Sequence, residues 1–141
     1  MGKINLGRVI LGGIVAGIVM DILGYLVDGV LLAPRWADGM TSLGHSDFTT
    51  NQIIGFNILG LVAGIALIWL YAAIRPRYGA GSRTAITAAI WFWIIGDLIP
   101  NLGIMWVPHL FSHHLVAFTT AGNLIETIAG ALAGAALYKE A

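Results

Sequence analysis

Apolar residues along this chain fall into long runs broken by short polar stretches. Four runs stand out: about Val9–Ala33, Ile53–Ile74, Ala85–Val107 and Leu115–Leu137. Each reaches the roughly 20 apolar residues that a helix needs to cross a bilayer. Prolines mark three ends, at Pro34, Pro76 and Pro108, where the ring stops a helix without breaking one. Residues suited to capping precede three starts: Thr50 or Asn51, Ser82 or Thr84, and Ser112. The intervals are short, so consecutive helices are expected to be antiparallel neighbours. Strict apolar–polar alternation is absent, which argues against a membrane β-barrel. The expected fold is therefore all-α: one transmembrane domain over 1–141, an integral-membrane, four-helix antiparallel bundle.

The polar positions inside the runs are periodic as well. In the first span Gly13, Gly17, Asp21, Gly24 and Asp28 follow at steps of three or four, which places them on one helical face. Gly122, Glu126, Gly130 and Gly134 form a similar stripe in the fourth span, with Asn123 beside it. Asn57, Gly60 and Gly64 lie together in the second, and Asp97 and Asn101 in the third. Small stripes let membrane helices approach closely, so these polar groups are expected where backbones meet. Such stripes could also serve contacts between copies of the chain.

Composition agrees with this placement. Of 141 residues only 10% are charged and 58% are hydrophobic, before 19 glycines are counted. Mean hydropathy is +0.87. A water-soluble domain of this size cannot hide so much apolar surface, since it buries only about 70% of its area. Net charge is zero, so no basic face exists for nucleic acid. There is no cysteine, hence no disulfide, thiolate metal site or cysteine nucleophile. Lys3, Arg8, Arg75, Arg77, Arg83 and Lys139 fall on one side of the four spans, and Arg35 alone on the other. The positive-inside rule then places both termini in the cytoplasm. Tyr71, Tyr78 and Tyr138 fit the inner interface, and Trp36 and Trp106 the outer one. The first span is too long for a signal peptide, carries Asp21 and lacks a cleavage pattern, so it is expected to stay as a helix. No myristoylation motif follows Gly2.

The chemistry of interest is four carboxylates within the spans: Asp21, Asp28, Asp97 and Glu126. A central Asp costs about 2.5–3.5 kcal/mol on insertion scales, and no span supplies a Lys or Arg to offset it. The acids are expected to face the bundle interior, some of them carrying a proton. At 1.5 Å per residue, Asp21, Asp97 and Glu126 lie near the midplane. Asp28, Asn57 and Asn101 lie nearer the outer face, and Asn123 completes the cluster. Pro100 should deprive the Gly96 carbonyl of its helical partner, leaving an acceptor for a cation or water. The first outer loop could close over this vestibule with Asp38, His45 and Asp47. Two roles remain open: a site for a cation, proton or small polar ligand, opening outward as in a transporter or channel, or interhelical glue in a structural or assembly subunit.

His109, His113 and His114 give a weaker metal signal, an outer-face metal or haem site, since imidazole suits several transition metals and haem iron. The same histidines also fit an interfacial, pH-sensitive role. No cofactor is specified, and no enzyme constellation or phosphate loop is present. Expected partners are the lipid bilayer and either further copies of the chain or a larger membrane complex. Gly60–Leu67 in the second span weakly echoes Gly130–Leu137 in the fourth, and the Gly/Ala/Leu bias of both explains this better than duplication does.

Gly7–Gly17, Asp28–Leu32, Trp69–Gly79 and Leu137–Glu140 together resemble a group of small bacterial four-span inner-membrane proteins of no assigned activity. The resemblance implies the fold and a bacterial inner-membrane location. In that group Asn is common at the positions of Asp21 and Asp28, implying a need for a polar side chain more than for a charge.

Overall fold

The computed structural model describes residues 3–141, which are helical and contain no strand. Five helices follow in order. α1 spans Leu6–Leu31, α2 Ala33–Ser42, α3 Thr50–Tyr78, α4 Ser82–Met105 and α5 His113–Leu137. All but α2 are long and apolar enough to cross a membrane. The chain is thus a multi-pass membrane protein by the character of its helices.

Local chemistry explains where these helices start. The Asn5 side chain accepts the Arg8 N–H and opens α1 three residues before the expected Val9. Thr49, rather than Thr50 or Asn51, caps α3 through a reciprocal box with Gln52. Ser112 caps α5 as its spacing predicts. At α4 the cap position is Gly81, and Ser82 is already helical; Thr84 instead bonds the Gly79 carbonyl at 2.7 Å, closing the turn from α3. Gly79 and Gly81 hold positive φ in that turn.

Proline behaves differently from the expectation at two sites. Pro76 lies inside α3, which continues to Tyr78. Pro34 sits in the first turn of α2, where its missing N–H is an orphan in any case. Residues 35–42, expected as part of an outer loop, therefore belong to a short helix. Two wide π turns interrupt the long helices, at Tyr25–Leu31 in α1 and Ile94–Leu98 in α4. Each contains one of the intramembrane aspartates, Asp28 and Asp97. The second lies just ahead of Pro100, which cannot donate to the turn before it.

The glycine stripes are used within the chain. A methyl at Gly12 would meet the Gly134 carbonyl oxygen at 2.6 Å, and one at Gly17 would meet Leu61 Cα at the same distance. Gly64 is pressed against the Gly17 backbone, and Gly130 against Met20 and the Ala16 carbonyl. Along α1 from Gly12 to Val27, the partners on α5 step backward from Gly134 through Gly130 and Glu126 to Gly122.

The apolar core is concentrated in one half of the molecule. Val9, Ala16, Leu67, Ile68, Tyr71, Ala85, Ala88, Ala89 and Ala131 form a continuous core. Tyr71 and Tyr138 meet edge to face at that end, with the Arg75 guanidinium over Tyr138 and 3.3 Å from Glu140. In the other half of α1, α3 and α4, the core contributes no buried residue beyond Ala16, Leu67 and Ala89, and the helices part around a cavity. Outward faces carry exposed large apolar side chains such as Leu59, Ile95 and Ile125, suited to lipid.

Candidate functional site

The cavity has a volume of about 1310 Å³ and is lined from α1, α3, α4 and α5, with Ala33, Trp36, Asp47 and Phe48 at one end. All four intramembrane carboxylates, Asp21, Asp28, Asp97 and Glu126, line it, together with Asn57 and Asn123. Among the described residues no lysine or arginine does. The period-four stripes of α1 and α5 carry these acids to one side because the same stripes carry the glycines that bring the helices together.

The acids divide into two kinds. Asp28 and Asp97 are tied down. Asp28 Oδ1 accepts Trp36 Nε1–H at 3.0 Å and Thr119 Oγ1–H at 2.9 Å, which links α1 to α2 and α5. Asp97 Oδ1 accepts the side-chain amides of Asn101 at 2.9 Å and Asn123 at 2.8 Å. The Asn101 amide also reaches Thr120 Oγ1 at 2.9 Å, and Trp93 Nε1–H donates to the Thr120 carbonyl at 2.8 Å. A polar seam thus joins α4 to α5.

Two other carboxyl oxygens have no partner among the described residues. Asp97 Oδ2 and Glu126 Oε1 are buried without a hydrogen-bond partner. Glu126 is 8% exposed, midway along α5, with its carboxyl against Gly24. A methyl on Gly24 would lie 3.2 Å from Glu126 Oε2. Asp21 is half-buried and lies across Gly60, where any side chain would collide with its carboxyl. Small residues therefore make room for both acids on the facing helix.

The remaining sequence candidates are placed as follows. Asn57 lines the cavity but is exposed and donates to the Ile53 carbonyl of its own helix at 2.7 Å. Asn101 stands behind the cavity wall and acts through Asp97 and Thr120. Of the loop residues, Asp47 lines the cavity, whereas Asp38 and His45 do not. The three histidines with a metal signal lie apart from the cavity. His109, His113 and His114 are all exposed, and among the described residues no group of three metal-ligating side chains converges. His109 and His113 border a separate small pocket, where His113 Nε2 lies 3.1 Å from the Met105 carbonyl. The cause is the turn at Pro108: His109 has φ of 62° and precedes α5, so it does not share a helical face with His113.

Sequence reasoning missed the aromatic walls. Tyr25, Trp36, Phe48, Phe56, Phe92 and Trp93 line the cavity, and read one by one they pass as ordinary span or interface residues. Trp36, Phe48 and Phe56 form an edge-to-face chain at centroid distances of 5.9 and 5.6 Å, which roofs the cavity at its α2 end. Thr119 and Thr120 were missed too, although each lies three or four residues before Asn123 on the acidic side of α5.

No protein-family model, curated protein or solved structure matches this chain.

Proposed function

We propose that the protein is a small transporter- or channel-like membrane protein that holds a cation, a proton or a small polar ligand in its carboxylate-lined cavity. In this reading the four spans form an antiparallel bundle with both termini cytoplasmic, in a bacterial inner membrane. The reversed pairing of α1 with α5 and the concentration of Lys and Arg at the tightly packed end support that arrangement. The cavity then opens toward the outside, below α2.

One observation carries the proposal: four acids from three spans face one cavity that no basic side chain lines. A protein gains nothing in stability by surrounding a space with unpaired carboxylates in lipid. A ligand able to neutralise them removes that cost. Reconstitution into vesicles tests the idea. Asp97→Asn with Glu126→Gln should abolish saturable cation binding or pH-dependent flux, while size-exclusion behaviour stays that of the native chain. Unaltered binding and flux would overturn it.

The hydrogen bonds of Asp28 and Asp97 favour a second reading, in which the acids are interhelical glue in an assembly subunit. Under it, purification in mild detergent retains an unlike partner, and Asp21→Ala lowers yield without altering any flux. Glue accounts for Asp28 and for one oxygen of Asp97. It gives no role to Glu126 Oε1 or Asp97 Oδ2, which bond to nothing.

A further inference from the structure

We propose that the occupant of this cavity is an organic ammonium cation with an apolar body, with Glu126 as its counter-charge. The inference rests on the binding reading above and narrows it to a substrate class. Three observations separate this class from a proton or a metal ion.

The first is size. At about 1310 Å³ the cavity exceeds even the roughly 300–1,000 Å³ usual for drug-sized ligands, far more than an inorganic ion requires. The second is the spread of the acids. A metal ion requires several oxygens converging within about 2–2.6 Å of one point. Among the described residues no three carboxylates or histidines converge in that way. The acids come from different helices and share no single point, with Asp21 on α1 across Gly60 and Glu126 on α5 against Gly24. Carboxylates that share no coordination point suit a bulky monovalent cation, whose charge is diffuse and which needs no tight oxygen cage.

The third is the wall chemistry. Aromatic side chains from α1 (Tyr25), α3 (Phe56) and α4 (Phe92, Trp93) line the same space as the acids. Ring faces attract cations, and alkylammonium groups in particular, while shedding water easily. A neutral acyl chain would fill the same walls but leave the Glu126 carboxyl, nine-tenths buried and with Oε1 unpartnered, without a counter-charge. A hydrophilic metal ion would satisfy the acids and leave the aromatic wall unused. An amine or quaternary ammonium attached to an apolar group satisfies both.

Isothermal titration of the purified full chain in nanodiscs tests this, with benzyltrimethylammonium as probe and tryptophan fluorescence as a second readout, because Trp36 and Trp93 line the cavity. The expected result is saturable binding that Glu126→Gln weakens at least about tenfold, as loss of a buried counter-charge does. Phe56→Leu should weaken it as well, at a position that is 53% exposed and keeps an apolar side chain. Should Glu126→Gln fail to fold, Asp21→Asn and Phe56→Leu carry the test. Binding that none of these variants alters would overturn the assignment. If sodium, potassium or calcium binds in a Glu126-dependent way and benzyltrimethylammonium does not, the substrate class is wrong and the wider proposal stands. If neither kind of cation binds, the substrate class is wrong, and the vesicle assay with Asp97→Asn and Glu126→Gln decides the wider proposal.

Discussion

The hydroxyl of Thr119 donates to Asp28 Oδ1 at 2.9 Å, across 91 residues of sequence. The same oxygen accepts Trp36 Nε1–H, so one carboxyl oxygen joins the π turn of α1 to α5 and to α2. What this junction requires is an acceptor, and an amide oxygen is an acceptor too. Asp28→Asn should therefore unfold at nearly the native denaturant concentration. Asp28→Ala strands two donors and should cost about 1–3 kcal/mol. Unfolding by SDS titration, followed by tryptophan fluorescence, distinguishes these outcomes. If both variants lose stability equally, the charge is what matters and the acceptor argument fails.

A second prediction concerns the closely packed half. Gly64 lies against the Gly17 backbone, and a methyl there would sit 2.7 Å from Gly17 Cα. No rotamer change relieves a clash with backbone, so Gly64→Val must push α1 and α3 apart. The expected cost is about 2–3 kcal/mol, at the upper end for overpacking. Gly55, on the same helix, has open space where a methyl would go. Gly55→Ala should be neutral or stabilising, by up to about 1 kcal/mol from helix propensity. The pair is compared in one unfolding series, and equal effects would contradict the packing described here.

These contrasts show what was legible in the sequence. The four spans were plain from hydropathy, because every residue of a lipid-facing helix contributes to that signal. The face bearing Asp21, Asp28 and Glu126 was plain from the spacing of glycine and acid, because one period sets both. Less visible was how the chain uses proline. Pro34 was read as a stop, yet it also suits the first turn of the next helix, and the choice depends on Trp36 reaching Asp28. The π turn around Asp28 leaves no local signature, whereas the one around Asp97 lies just ahead of Pro100. Tyr25, Phe56 and Trp93 come from different helices, and no single stretch reveals that they share a wall. Asn101 and Asn57 have the same residue type and similar spacing, but one bonds across helices and the other to its own backbone.

Orientation can be tested directly, because the chain contains no cysteine. Single cysteines at Ser46, between α2 and α3, and at Ala80, between α3 and α4, are both at exposed positions. With both termini cytoplasmic, a membrane-impermeant maleimide added to intact cells labels Ser46→Cys at once, and Ala80→Cys after lysis. The opposite pattern would place the cavity mouth in the cytoplasm and reverse the direction proposed for the site.

The final prediction sets stability against binding at Glu126. Its Oε1 is buried with no partner, and a buried acceptor left unmade costs about 1–3 kcal/mol. Methionine has a similar length and no such group. Glu126→Met should therefore leave the fold as stable as the native chain or make it more stable, while removing the cavity's deepest counter-charge. Asp97→Met should behave in the opposite way, because Asp97 Oδ1 holds the amides of Asn101 and Asn123 and its loss strands both. A glue role for all four acids requires the two variants to be destabilised alike. A binding role requires stability and affinity to move apart at Glu126, since a group kept against the interest of the fold has to be kept for something it holds. Unfolding midpoints and benzyltrimethylammonium titrations on the same two preparations measure both quantities.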